Sequence, residues 1–298
     1  MKNKKGDLII QNSLAKKKKK TALPYLLLLP TMFFLVVFTF YPFINCIRLT
    51  FYSTDSIGRP GAFIGLRIWK KVLTSTEFKN SLINTFRYGG CIGIGTFLLA
   101  MILAFISTKK VSGSKIYQTM FALPMALATA PVAAIATYIF SKYGLFNAIV
   151  GSDTVWLSGK TLFTTVVMIV IWANSGSSFI YLLVGFRNVP EELLECAELD
   201  GANPFTKFFH IYLPIASPQV FFVIFLNILS AFKSFAMIKI LVGTNDSELS
   251  VLILKLYNYA FVRERYETGC VYALVLSLVI FLVSRIQFIV EKKVVFYQ

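Results

Sequence analysis

Few residues in this chain have the types and spacing to do chemistry. Ser158-Gly159-Lys160-Thr161 has the ending of a phosphate-binding loop, in which backbone N–H groups and a lysine cradle phosphate oxygens. The pattern also needs a glycine five residues before Gly159, and Thr154 stands there. No strand pattern precedes it and an apolar run follows, so ATP hydrolysis by this chain is not expected. Gly93-Ile94-Gly95 lacks the third glycine of a dinucleotide loop and lies inside an apolar run, where small residues let helices pack closely. His210 is the single histidine and cannot make a metal site alone. Cys46, Cys91, Cys196 and Cys270 show neither metal spacing nor a pairing pattern and read as apolar filler. With no Ser/His/Asp set, the chain is expected not to be an enzyme by itself and to hold no metal or cofactor.

Chemistry of another kind arises where polar side chains interrupt apolar runs. Asn174, Ser175, Ser177 and Ser178 do so beside Trp172, and Asn227, Ser230, Lys233 and Ser234 do so in a later run. Polar groups are expensive at membrane depth and are usually functional there. They can also simply hydrogen-bond one helix to another. Lys233 is the sharper case, because an ammonium well inside an apolar run needs an anionic partner or a water-filled cavity. It could face a passage and favour an anion, pair with a neighbouring subunit, or reach out to the membrane interface. Lys239, nearer the end of the same run, reads as a residue reaching to that interface.

The elements that must position these residues are membrane spans. The chain of 298 residues is 56% hydrophobic and only 15% charged. A soluble domain is nearer 45–50% apolar and about 25% charged. The net charge of +16 could suggest nucleic acid. Much of it sits in a lysine tract ahead of the first apolar run, without a nucleic-acid motif, so membrane topology is the better cause. Residues 1–20, ending in Lys16 to Lys20, read as a disordered basic cytoplasmic tail. The remainder, 21–298, reads as one membrane domain. Apolar runs long enough to cross a bilayer lie at about 23–47, 82–106, 116–140, 162–184, 220–242 and 269–290. The first is too long for a signal peptide and lacks its cleavage site. The fold class expected is all-α, with six transmembrane helices and both termini cytoplasmic. Segments 52–79, 141–160 and 243–268 fall outside, while 107–115 and 185–219 fall inside.

Between the fourth and fifth runs lies a stretch with its own helical grammar. Pro190 suits a helix start, Glu191 and Glu192 complement the positive end of the helix dipole, and Gly201 stops the helix after Asp200. Asn203-Pro204 restarts it, with Phe205, Phe208, Phe209 and Ile211 at helical spacing, and Pro214 and Pro218 mark the turn into the next run. Helix, tight turn, helix is the expected form.

Glu195-Cys196-Ala197, then Asp200-Gly201-Ala202, then Ile211-Tyr212-Leu213-Pro214, resemble the signature loop of permease subunits of bacterial ATP-driven (ABC) importers. Cys196 departs from that family's usual alanine but is also small. The resemblance extends over nearly the whole chain from Leu23. Phe40-Tyr41-Pro42, Phe63-Ile64-Gly65-Leu66, Asn80, Asn84-Thr85, Leu123-Pro124 and Tyr143-Gly144-Leu145 are similar to the carbohydrate-uptake group. Within it they look like the first permease subunits of glycerol-3-phosphate and oligosaccharide importers. After the fifth run, Val242-Gly243-Thr244-Asn245-Asp246 departs from the Gly-Gly-Pro often found there.

The resemblance implies that Glu195, Cys196, Ala197, Asp200 and Gly201 belong to a cytoplasmic coupling helix seated on an ATPase subunit. It implies a substrate pathway at Asn174, Ser177, Asn227, Ser230 and Ser234, to which Trp172 is added for stacking on a sugar ring and Lys233 for an anionic solute. Implied partners are a second homologous permease subunit, two ATP-binding ATPase subunits, an extracytoplasmic solute-binding protein and membrane lipid, with no nucleic acid. The implied location is the bacterial cytoplasmic (inner) membrane. The expected function is import of a sugar, oligosaccharide or related solute by alternating access. The alternative cargo is glycerol phosphate. A secondary transporter would need a coupling-ion carboxylate inside the spans, and none is convincing.

Overall fold

A computed structural model of the chain describes residues 24–109, 113–243 and 249–295. The basic tail, Leu23 and Thr244-Asn245-Asp246 lie outside these. Helix α1 runs over Pro24–Leu49, with a π turn at Val36–Phe40. A two-stranded antiparallel hairpin follows, β1 Tyr52–Thr54 and β2 Pro60–Phe63, in which Tyr52 pairs with Phe63. The hairpin is a small β element that the all-α expectation left out, and α2 (Arg67–Thr74) adds a helix to 52–79, which was expected only as an external segment. Gly58 at φ +83° makes the hairpin's turn, and Asp55 Oδ1 accepts from the N–H groups of Ile57 and Arg59. Helix α3 spans Thr76–Ile106 and begins six residues before the apolar run, because Ser75 caps it by accepting from the Phe78 N–H.

The third run is not one helix. Ser114–Ala126 (α4) and Thr129–Ile139 (α5) meet at 102°. Pro131 is the physical reason. Its ring would clash with the carbonyl four residues back, at Leu127, so the chain goes extended at Leu127 and Ala128 and restarts at Thr129. Beyond the short α6 (Leu145–Val150), α7 is continuous over Gly159–Arg187. The loop that follows holds α8 (Glu191–Leu199) and α9 (Pro204–Ile215, with a π turn at Phe208–Tyr212). Helix α10 (Ser217–Lys233) leaves α9 at 79°. The fifth run also breaks, at Ser234 with ψ +70°, before α11 (Phe235–Val242). No proline or glycine marks that break. The segment expected to be external linker carries α12 (Leu252–Val262), and α13 (Tyr266–Val294) closes the described chain.

Among the described residues, four helices are long and apolar enough to cross a membrane, or up to six if each bent pair is one span. Helices α3, α4 and α10 pack on α7. Gly89 and Gly93 admit Phe232 and Ile228 of α10, since a Cβ would meet those side chains at 3.3 and 3.1 Å. Gly176 is tighter, because a Cβ there would lie 2.9 Å from the Met125 backbone nitrogen and 3.0 Å from the Ala122 oxygen. The core at one end gathers Ala100, Ala104, Phe179, Leu182, Phe186 and Val223; the middle gathers Tyr88, Ile92, Val166, Val170, Ala231 and Ile238. In α1, none of the apolar window is buried by the rest of the chain. In a hydrocarbon solvent such a surface carries no hydrophobic penalty.

Candidate functional site: a capped loop and a polar cavity joined by two helices

The loop is built by local rules. Helix α8 ends with Asp200 as its cap and Gly201 in the left-handed region at φ +74°. The Ala202 N–H reaches the Ala197 carbonyl at 2.9 Å and the Gly201 N–H reaches Glu198 at 3.0 Å. This pair of bonds is the Schellman arrangement. Asn203 then caps α9, its Oδ1 accepting from the Thr206 N–H at 2.8 Å and from the Thr206 hydroxyl at 3.0 Å. Lys207 and Glu198 join the two helices by an ion pair of 2.6 Å. The four turn residues, Asp200 to Asn203, are thus held by local hydrogen bonds, and the loop is a shaped body.

One side of that body is fastened. Phe208 stands edge-on to Phe105 at the end of α3, with ring centroids 4.7 Å apart, and to Phe186 at the end of α7, at 6.0 Å. Tyr212 repeats both contacts at 5.7 and 5.8 Å. The Arg187 guanidinium donates to Gln118 of α4 at 2.9 Å. The other side is bare. Leu199 is 89% exposed and Phe205 75%. Cys196, Asp200 and Gly201 are exposed and Ala197 is half-buried. Glu195 is exposed too, and with Glu191, Leu194 and Glu198 it lines a cavity of about 890 Å³ shared with Lys109, Gln118 and Arg187.

The second site lies where the two broken runs meet α7. A cavity of about 230 Å³ is lined by Pro124, Leu127 and Thr129 at the first break, by Asn174 of α7, and by Ser230, Lys233 and Ser234 at the second. Broken helices expose backbone polar groups to such a space, which suits a polar solute better than an unbroken apolar wall. Ser230 and Lys233 are exposed, and no carboxylate pairs with Lys233 among the described residues.

Of the seven expected pathway residues, Asn174, Ser230, Lys233 and Ser234 come together. The other three stand elsewhere. Asn227 is buried and its Oδ1 accepts from the Ser178 hydroxyl at 2.8 Å, which is the helix-to-helix hydrogen bond weighed as the alternative. The Ser177 hydroxyl lies 3.3 Å from the Asn174 carbonyl of its own helix. Trp172 is about half exposed and is not part of the cavity wall. Helical phase turns Trp172, two residues before Asn174, away from it. Ser177, three residues after Asn174, lies near the same face, but its hydroxyl turns back on its own backbone. Sequence reasoning missed the wall supplied by Leu127 and Thr129; Pro124 and Pro131 were the available signal. It also missed the Phe105–Phe186–Phe208–Tyr212 cluster, which no spacing rule could join across 107 positions.

Comparison with known proteins agrees with this geometry. The sn-glycerol-3-phosphate transport system permease protein UgpA of Agrobacterium fabrum is 28% identical over 280 residues, covering 91% of this chain and 96% of that protein. UgpA of Yersinia enterocolitica is 29% identical over 282 residues, covering 91% and 95%. The fold superposes with a TM-score of 0.83 on a chain of a bacterial ABC transporter involved in the import of the acidic polysaccharide alginate, at 20% identity, covering 95% of this chain and 99% of that one. Residues 95–296 match the family described as binding-protein-dependent transport system inner membrane component, and the chain belongs to it: it is a permease subunit of an ABC importer.

Proposed function

We propose that the chain is one of two membrane subunits that carry a sugar, an oligosaccharide or a related solute inward by alternating access, driven by separate ATPase subunits. In this reading each bent pair is one span, making six, with both termini cytoplasmic. A second permease subunit completes the passage, two ATPases seat on the α8–α9 loops, and an external binding protein delivers the solute. The observation that carries the reading is the loop, locked in shape by its caps, fastened at Phe208 and Tyr212, and bare at Leu199 and Phe205. Its ends are also the ends of the helices that wall the cavity. Asn174 lies 12 residues from Phe186 and Lys233 lies 16 from Ser217, or roughly 18 and 24 Å at the helical rise. A movement of α8 imposed by an ATPase therefore arrives at the cavity through two stiff rods, and the breaks at 127–128 and 234 are where the wall can yield.

Lys233 supports an anionic solute, because among the described residues the cavity offers an ammonium without a carboxylate to neutralise it. A uronate-containing oligosaccharide meets that chemistry. Glycerol phosphate, the second reading, is favoured by the relatives named for sn-glycerol 3-phosphate. The test is ATPase activity of the reconstituted complex with its binding protein, stimulated in turn by neutral oligosaccharide, oligouronate and glycerol 3-phosphate. An anion should stimulate, and Lys233→Ala should remove that stimulation. Stimulation by neutral sugar alone, unchanged in Lys233→Ala, would take Lys233 out of the site. No stimulation by any of the three would refute the cargo class.

A further inference from the structure

At the far end of α3 from the loop lies a second polar cavity, of about 430 Å³, lined by Glu77, Asn80, Ile83, Asn84, Ser250 and Lys255. Asn80 and Asn84 stand 25 and 21 residues from Phe105 on the same helix, or roughly 38 and 32 Å away. The wall is held by the Leu252 N–H, which donates to the buried Thr85 hydroxyl at 2.8 Å. Glu77 fixes the charge. Its Oε1 pairs with Lys255 at 2.7 Å, and its Oε2 accepts from the Tyr259 hydroxyl at 2.7 Å. Lys255 is only 8% exposed, and it forms the buried half of the pair, while the Glu77 side chain is 36% exposed. Ser250, also 8% exposed, has a buried hydroxyl with no hydrogen-bond partner, and the Asn80 and Asn84 carboxamides make no hydrogen bond among the described residues.

A buried hydroxyl without a partner is costly, and it marks a place where something else completes the bond. The free groups are two carboxamides, one hydroxyl and the remaining ammonium protons of Lys255. Each carboxamide offers a donor and an acceptor side by side, which matches adjacent hydroxyls. The paired carboxylate and ammonium cancel, so the cavity selects neither an anion nor a cation. Ile83 is the single apolar member, too little for a lipid tail. The volume lies in the ordinary range for a small-molecule site. We infer that this cavity is an outer subsite for a polyhydroxylated sugar unit, read by its hydroxyls and not by its charge, and engaged before the solute reaches Lys233. The inference rests on the sugar-import reading. Its added content is that recognition at the outer end reads hydroxyls, while charge is read deeper in.

The experiment uses the assembled complex in vesicles, with Cys46, Cys91 and Cys270 replaced by serine; Cys196, on the ATPase side, is kept, out of reach of a label added from the opposite side. Asn84→Cys is labelled from the side opposite the ATPase with an impermeant maleimide, and Ser230→Cys reports the inner cavity in parallel. Neutral pentasaccharide and oligouronate pentasaccharide should both slow labelling at Asn84→Cys. Glycerol 3-phosphate, with too few hydroxyls, should not. In the unlabelled complex, Asn80→Ala with Asn84→Ala should raise the sugar concentration for half-maximal ATPase stimulation about tenfold, the loss of one to two hydrogen bonds, with the maximal rate unchanged. Protection at Ser230→Cys without any at Asn84→Cys overturns the outer subsite and leaves the import reading standing. Protection at neither, with no ATPase stimulation, overturns both. Protection at Asn84→Cys by sugar-free binding protein, or no labelling there at all, identifies the cavity as a surface covered by protein and overturns the subsite.

Discussion

Replacing Gly201 by alanine tests the idea that loop shape, not merely loop presence, carries force. Gly201 adopts φ +74°, and a Cβ built there would meet nothing within 4 Å. No clash contributes, so the whole cost is the left-handed backbone, about 1–2 kcal/mol for an L-residue. Against that stand the two Schellman bonds, whose donors, on exposed Gly201 and half-buried Ala202, are near enough to the surface to turn to water. The shaped loop should therefore lose a factor of roughly 5 to 30 against alternatives in which α8 and α9 part company. Gly201→Asn should recover much of it, because asparagine tolerates that region. Gly151 supplies a matched control, being at φ +67° with equally open surroundings, but far from the loop in sequence. The assay is ATPase subunit retention and solute-stimulated hydrolysis in the purified complex. Gly201→Ala should weaken retention several-fold, Gly201→Asn less, and Gly151→Ala not at all. If Gly201→Ala and Gly151→Ala behave alike, the capped turn does not carry the coupling.

Three further outcomes follow from the same geometry. Phe208→Ala removes the two edge-on ring contacts that fasten the loop to α3 and α7, worth about 0.5–1.5 kcal/mol each beyond burial, and should leave the ATPase bound while uncoupling hydrolysis from uptake, measured as ATP spent per solute imported. Gly176→Ala would press a methyl onto the backbone of α4 at 2.9 and 3.0 Å; the strain of about 1–3 kcal/mol should lower the unfolding temperature and shift the wall at Leu127, seen as a changed solute affinity. Asn227→Ala should destabilise the chain by about 1 kcal/mol, by loss of the Ser178 bond, without altering which solute stimulates ATPase; a changed solute preference would return Asn227 to the pathway.

The sequence by itself determined what solvent this chain lives in and where its local punctuation falls. Apolar runs of bilayer length need no tertiary context, and the Asp200-Gly201 stop and the Asn203-Pro204 restart are set by backbone preference within five residues, which is why both are found where the pattern put them. Even the bend in the third run was written there, in Pro131, although its size of 102° was not. What only the tertiary structure decided is which polar groups meet. Asn174 and Asn227 look alike as interruptions of apolar runs, yet one lines a cavity and the other is occupied by Ser178, because side-chain phase on packed helices depends on neighbours distant in the chain. The break at Ser234 has no proline or glycine to announce it, and Lys233 and Ser234 at that break line the same cavity as Asn174. The Glu77–Lys255 pair joins residues 178 positions apart, and the aromatic fastening of the loop joins Phe105 to Phe208. Such pairings are chosen by the global packing of rods against one another, and no period of 3.6 residues encodes them.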